Sequence, residues 1–360
     1  MVNVVSKRRD TGNIPPAYPN GWFAIEESRN LVVGQVVNVS LIGLNLALYR
    51  GEDGRVRAID AYCPHLGANL SAGGRVLGNC IECPFHGWKF DGDSGKCKHI
   101  PYADNIPDVA KVKSYTILER NNFIYIWYHA EDNEPSWMPP EVDGLQNDSL
   151  DYDGRSEHYI SCHIQEIPEN GADFSHLSQV HGPVIAAGTD LRFTYNKFWQ
   201  FLEHCWNGEW KALSGDEAHI GEMKLTHSLK IFGFKLSFMD LKVTVNQIGP
   251  GIVYLVLHTF LGDCYLLQHL TPMEPLKQKL VHHIYTPWFS PRILGKIYLF
   301  AEALQVERDI MIWNNKKFLA KPCYVKSFED QMLSKHRRWY MQFYSKNSPK
   351  ITFRKDDLTW

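Results

Sequence analysis

Cys63-Pro64-His65 and, seventeen residues further on, Cys83-Pro84-Phe85-His86 constrain this chain more than any other feature of its sequence. Each short loop offers one thiol and one imidazole, so the fold must bring the two loops together before they can share a metal. Gly67, Gly73-Gly74 and Gly78 lie around and between them, and Gly87-Trp88 closes the second; glycines supply the backbone freedom that tight loops need. Two cysteines and two histidines also suit a structural zinc ion. Zinc fingers, however, usually set Cys-x2-4-Cys against His-x3-5-His, whereas here each loop gives one residue of each kind.

The pattern fits a Rieske [2Fe–2S] centre, in which cysteines hold one iron and histidines the other. Neutral imidazoles in place of two anionic thiolates raise the cluster's potential above that of an all-cysteine ferredoxin, which suits an acceptor of electrons from a reductase. Zinc remains the alternative at this point. The other six cysteines, Cys80, Cys97, Cys162, Cys205, Cys264 and Cys323, have no regular spacing. That argues against a disulfide framework and for an intracellular, reducing compartment, with Cys80 and Cys97 as small buried or half-buried thiols.

A second constellation follows in Glu169-Asn170-Gly171-Ala172-Asp173-Phe174-Ser175-His176, with His181 just before Gly182-Pro183. On a helix Asp173 and His176 share a face, and the Gly-Pro break lets the chain turn His181 toward the same point. Two histidines need one carboxylate to form the facial triad of a non-haem Fe(II) oxygenase, which leaves positions open for dioxygen. Asp309 is the candidate, because Gln305, Val306, Ile312 and Trp313 flank it at helical spacing and would place it in a largely apolar stripe. A buried charge needs a partner, and iron would serve. Glu302 is the reserve choice on roughly the same face; Glu307 and Arg308 are expected in solvent. His99, His163 and the pair His282-His283 are expected to be core or surface residues.

At 360 residues the chain is longer than one core usually grows. The fold class expected is α+β: an all-β domain at 21–131 holding the [2Fe–2S] loops, a Pro-rich acidic linker at 132–144, and an α+β domain at 145–360 with an antiparallel sheet and the mononuclear iron site. Residues 1–20 form a lead segment. Alternating patterns predict strands over Val32–Leu41, Asn45–Tyr49, Val56–Ile59, Ser114–Leu118 and Phe123–Tyr128, then over Lys224–Phe238, Leu241–Val245 and Ile252–Phe260. Glu166–His181 is helical in tendency, and Ile293–Phe318 is predicted to be one long helix. A formal charge of −2 and no basic run with interleaved aromatics exclude nucleic acid as a natural partner. No stretch reaches the roughly 18 to 20 continuous apolar residues that span a bilayer, and the first 20 residues, with Lys7-Arg8-Arg9, lack a signal core.

With both motifs present, the chain resembles the Rieske oxygenase family from Tyr18 onward. Within it, Tyr18–Phe23, Asp309–Lys316 and Arg337–Tyr344 look like the cholesterol 7-desaturase branch, with the bacterial 3-ketosteroid 9α-hydroxylase oxygenases as near neighbours. The resemblance implies a [2Fe–2S] cluster on Cys63, His65, Cys83 and His86 and mononuclear Fe(II) on His176, His181 and Asp309. It also implies that Asp173 is no iron ligand: it would orient His176 and hydrogen-bond the partner subunit's His86, carrying electrons between centres across a homotrimer contact.

Further implications are cholesterol as substrate, O2 as oxidant, and 7-dehydrocholesterol as product in steroid hormone biosynthesis. No G-x-G-x-x-G follows a predicted strand, so NAD(P)H is expected to act through a separate ferredoxin and reductase. Phe193, Phe232, Phe234, Phe238, Leu255 and Trp288 are candidate liners of a sterol slot. Pro287–Leu304 reads as an ordinary buried helix or, alternatively, as a segment for peripheral membrane contact. Animal members of the branch typically begin with a membrane anchor in the endoplasmic reticulum, and this sequence shows none. The alternatives are a 3-ketosteroid 9α-hydroxylase-like monooxygenase, a Rieske electron-transfer protein, and a zinc-stabilised binding module.

Overall fold

The structure is a computed structural model that describes residues 13–237 and 240–351. Two compact units emerge: Trp22–Tyr128, and the other described residues.

The first unit is built from short strands: β1 (Gly21–Glu27), β2 (Val36–Leu41), β3 (Leu44–Arg50), β4 (Val56–Asp60), β5 (Arg75–Leu77), β6 (Cys80–Glu82), β7 (Lys89–Asp91), β8 (Cys97–His99), β9 (Ser114–Tyr115), β10 (Ile117–Arg120) and β11 (Phe123–Tyr128). They form three sheets in the orders β1-β11-β10, β2-β3-β4-β9 and β5-β6-β7-β8. Leu46 to Tyr49 are all buried, the mark of a central strand covered on both faces. The strand predicted from Val32 starts only at Val36, because Gly34 takes a positive φ of 81° and turns the chain first. The small β5–β8 sheet carries the two Cys/His loops: one runs into β5, the other links β6 to β7.

The second unit holds β12 (Leu150–Ile160), β13 (Leu202–Ala212), β14 (Ile220–Ile231), β15 (Phe234–Lys235), β16 (Leu241–Ile248), β17 (Ile252–Thr259), β18 (Gly262–Glu274) and β19 (Lys277–Pro287). Their order is β12-β19-β18-β17-β16-β14-β13, with β15 paired to β14, and every pairing is antiparallel. The strand predicted to run to Phe238 breaks at Phe232-Gly233. Both residues have positive φ (48° and 82°) and make a two-residue hairpin turn.

The helices are α1 (Asp143–Gln146), α2 (Phe174–Val180), α3 (Leu191–Thr194), α4 (Arg292–Trp313) and α5 (Phe328–Tyr340). α4 packs across β12 and β19, and α2 across β13. α4 stops at Trp313 rather than Phe318: Asn314 caps it, and the Asn314 Oδ1 accepts a 2.7 Å bond from the Ser161 N–H. The helical tendency of Glu166–His181 resolves into two 3-10 turns, Ile164–Glu166 and Pro168–Ala172, and then α2. No helix among the described residues is long and apolar enough to cross a membrane.

Residues 13–20 and 132–144 both belong to this second unit. The Asn20 N–H donates to the Phe343 carbonyl at 2.6 Å and its Nδ2 donates to Ser345 Oγ at 3.0 Å, so two of the segments that carry the family resemblance meet. In 132–144, Trp137 stacks on His219 with ring centroids 4.7 Å apart.

Candidate active site

The two Cys/His loops repeat one backbone design. The Cys63 N–H donates to the Ala68 carbonyl and the Gly67 N–H to the Cys63 carbonyl, both at 2.9 Å; in the second loop Cys83 pairs with Trp88 at 2.7 Å and Gly87 with Cys83 at 3.1 Å. Gly67 and Gly87 take nearly equal positive φ, 74° and 73°, which a side chain would resist. The folded loops put the His65 and His86 rings 4.7 Å apart and bring the Cys63 and Cys83 thiols close enough to affect each other's charge.

Burial pushes the Cys63 thiol up to about 11, with the neighbouring Cys83 adding to the rise. A metal must therefore displace its proton. His65 Nδ1 is buried with no partner, as a ligand atom aimed at an ion would be. The His65 ring lies flat on Trp88 at 4.8 Å, and Trp88 Nε1 donates to the Tyr102 hydroxyl at 2.9 Å, which fixes the stack. All eight cysteines named in the sequence are free thiols.

In the second unit, Asp173 caps α2 by accepting from the His176 N–H at 3.2 Å, and its backbone carbonyl meets His176 Nδ1. His181 closes the same helix. His181 Nε2 stands 3.2 Å from Asp309 Oδ2, and the His176 and His181 rings are 5.1 Å apart at 79°. One donor atom from each of His176, His181 and Asp309 lies within 4.8 Å of the others, the one such group among the described residues. Burial lowers the His176 pKa, favouring the neutral imidazole that binds metal. Asp173 and Glu302 stand outside this group. The Asp173 carboxylate is 3.9 Å from His176 Nδ1; Glu302 lines the adjoining cavity, and burial, with Asp309 adding, raises its pKa.

Arg308 corrects the sequence expectation. It is 1% exposed, not solvated, and its guanidinium donates to the carbonyls of Val180, Pro183, Val184 and Gly188 at 2.9 to 3.2 Å. The fork thereby clamps the loop that leaves His181. Glu307 is exposed as expected, whereas Ile312 is also exposed and does not belong to the apolar stripe.

The three donors open onto a cavity of about 380 Å³, within the range of small-molecule sites. Its floor is the sheet, through alternate residues Leu241, Val243, Val245 and Gln247 of β16 and Val253, Leu255 and Leu257 of β17. Of the five candidate sterol liners among the described residues, only Leu255 is there. Phe193, Phe232, Phe234 and Trp288 are exposed, and Phe238 lies outside the described residues. Sequence reasoning missed His204, His227, Trp206, Gln247 and Gln268, all in the wall. His204 Nδ1 and His227 Nε2 are 2.8 Å apart, and burial, then His227, holds the His204 pKa down at about 4. The available signal was the alternation of His204 and Trp206 on β13.

Paired loops with two cysteines and two histidines in one unit, and two histidines with an aspartate beside an apolar cavity in the other, match the ligand sets of the two centres of a Rieske non-haem iron oxygenase. The profile of the Rieske [2Fe-2S] domain matches residues 21–116, and that of the 3-ketosteroid 9alpha-hydroxylase C-terminal domain matches 126–344. The cholesterol 7-desaturase of Xenopus laevis is 48% identical over 359 residues, 99% of this chain and 79% of that protein. The oxygenase component of 3-ketosteroid-9-alpha-monooxygenase from Rhodococcus rhodochrous is 29% identical over 92% of this chain and 82% of its own length. Dicamba monooxygenase bound to dicamba shares the fold at a TM-score of 0.61, with 18% identity over 90% of this chain and 97% of its own. The chain belongs to the cholesterol 7-desaturase family of Rieske oxygenases.

Proposed function

We propose that this chain desaturates cholesterol at C7–C8, giving 7-dehydrocholesterol. Two hydrogens leave the sterol, two electrons come from NAD(P)H by way of a separate ferredoxin and reductase, and O2 is reduced to two waters. The observation that carries this reading is the His176, His181 and Asp309 group, its donors within 4.8 Å of one another, in the wall of an apolar cavity.

Cys63, His65, Cys83 and His86 would hold the [2Fe–2S] cluster, and His176, His181 and Asp309 the mononuclear iron; together these cofactors supply electron storage and the activation of O2 for hydrogen removal. The chain's own residues do the rest. Asp173 fixes the start of α2 and so the aim of His176, and in the family's homotrimer its half-buried carboxylate would meet the partner subunit's His86. Arg308 holds the loop of His181. The β16 and β17 side chains exclude water and seat the rigid rings. Exposed Phe260, Trp288, Phe289, Ile293 and Ile297 support peripheral membrane contact; Ile297 also lines the cavity, so sterol drawn from a bilayer would meet it early.

The profile match to the 3-ketosteroid 9alpha-hydroxylase domain favours hydroxylation as the second reading, since both reactions begin by removing a hydrogen. Incubation of iron-loaded protein with cholesterol, O2, NADPH and a surrogate ferredoxin–reductase pair separates them. Loss of two hydrogens with the ultraviolet bands of a 5,7-diene supports the desaturase; a 3-ketosteroid that gains one oxygen, with cholesterol untouched, supports the hydroxylase.

A further inference from the structure

Gln247 is the polar exception on the cavity floor. Leu241, Val243 and Val245 precede it on the same face of β16, and all four line the cavity. Its Oε1 accepts from His336 Nε2 at 3.1 Å. His336 is fully buried, and burial pushes its pKa down to about 3, so the ring is neutral and, facing the amide oxygen, carries its proton on Nε2. Gln247 itself is 5% exposed, yet its Nε2 has no partner. A buried amide left unpaired is costly, and a turn of the Gln247 side chain toward the cavity it lines would let a ligand oxygen remove that cost. With the two amide atoms exchanged, His336 Nε2 accepts in the other tautomer and the carbonyl becomes the unpaired atom, which a hydroxyl serves equally.

The sheet register shows that Gln247 stands in a polar row. It lies opposite Val253, Val253 opposite Gln268, and Gln268 opposite His282. Gln268 also lines the cavity and repeats the device: its Oε1 meets the Nε2 of buried His282 at 3.0 Å. The next row, Val245, Leu255, Leu266 and Ile284, is wholly apolar. One end of the floor, beside the turn that joins β16 to β17, is therefore polar. The remaining strand from Gln247 to Leu241 gives roughly 20 Å of apolar surface.

We propose that Gln247, oriented by His336, binds the 3-oxygen of the sterol and so sets which end of the substrate enters first. This rests on the sterol reading above. It makes Gln247 a specificity residue: a floor with amides at one end rejects a fully apolar steroid, because binding one would leave the Gln247 amide unpaired.

The test compares cholesterol with cholest-5-ene, which lacks the 3-hydroxyl, by equilibrium binding and by kcat/KM, in the wild type and in Gln247→Leu. The wild type is expected to prefer cholesterol by at least about tenfold, and Gln247→Leu to lose most of that preference while binding cholest-5-ene no worse. Gln247→Met, closer in length, takes its place if the leucine variant does not fold. Equal binding of the two steroids by the wild type overturns the proposal, as does a variant that weakens both equally. Binding that discriminates as expected, without turnover of cholesterol, counts against the desaturase reading and leaves Gln247 standing.

Discussion

His181 Nε2 lies 3.2 Å from Asp309 Oδ2, although one residue ends α2 and the other sits near the far end of α4. Both are largely buried. Bringing a carboxylate out of water beside an imidazole costs energy that their mutual attraction does not fully return, so the pair is better explained as half of a metal site than as a device for stability. His176 completes that site from the opposite end of α2, and the two histidines reach one point because the helix is barely two turns long.

Arg308 should act on the iron site without touching it. Removing its guanidinium leaves the Val180 carbonyl at the end of α2 and three carbonyls of the loop after His181 without their donor. Arg308→Leu should lower iron affinity by about 10- to 100-fold, the usual effect of losing a ligand's supporting contacts, with the cluster's visible spectrum unchanged. Arg308→Lys should restore little, since an ammonium lacks the planar fork. Iron content after gel filtration in graded chelator checks both.

Gly67 and Gly87 share a backbone conformation but not the same surroundings. An added Cβ at Gly67 meets nothing within 4 Å, whereas at Gly87 it would lie 2.9 Å from Pro101 Cγ. Alanine at Gly67 should cost about 1–2 kcal/mol from its positive φ alone, and alanine at Gly87 more. Urea unfolding and the yield of cluster-bound protein should rank Gly87→Ala below Gly67→Ala.

Stability should fall in mild acid. Burial pushes His282 and His336 down to about 3, from an ordinary 6.5. The unfolded chain then binds protons first, so the stability these rings contribute is complete above about 6.5 and is lost progressively as pH drops toward about 3. Between pH 6.5 and pH 5 each ring should cost about 2 kcal/mol at ~1.36 kcal/mol per pH unit. Urea midpoints across that range should shift downward, and His282→Gln should flatten the dependence.

The candidate metal donors were legible in the sequence because ligand chemistry demands residue types at short spacings, as in Cys63-Pro64-His65 and in His176 with His181. Asp309 was found through its apolar neighbours, even though Ile312 in that stripe is exposed. The cavity was harder to read. An exposed aromatic such as Phe234 and an inward-facing residue such as Leu255 both sit in strand-like patterns, and only the register decides which faces the floor. Nothing in the sequence separates Gln247 from a surface amide at a strand end. Arg308 was misread because a charged residue on a helix is usually solvated, and its four carbonyl partners come from a loop distant in sequence. The strands β5 to β8 are three residues each, too short for a period to register.

The claim on which the account depends is that His176, His181 and Asp309 hold the iron at which the sterol is oxidised, apart from the cluster. Asp309→Ala, loaded with iron beside the wild type, tests it through iron content, cluster absorbance and cholesterol turnover together. The account predicts about two irons per chain instead of three, an unchanged cluster spectrum and no diene product; wild-type turnover in that variant would contradict it.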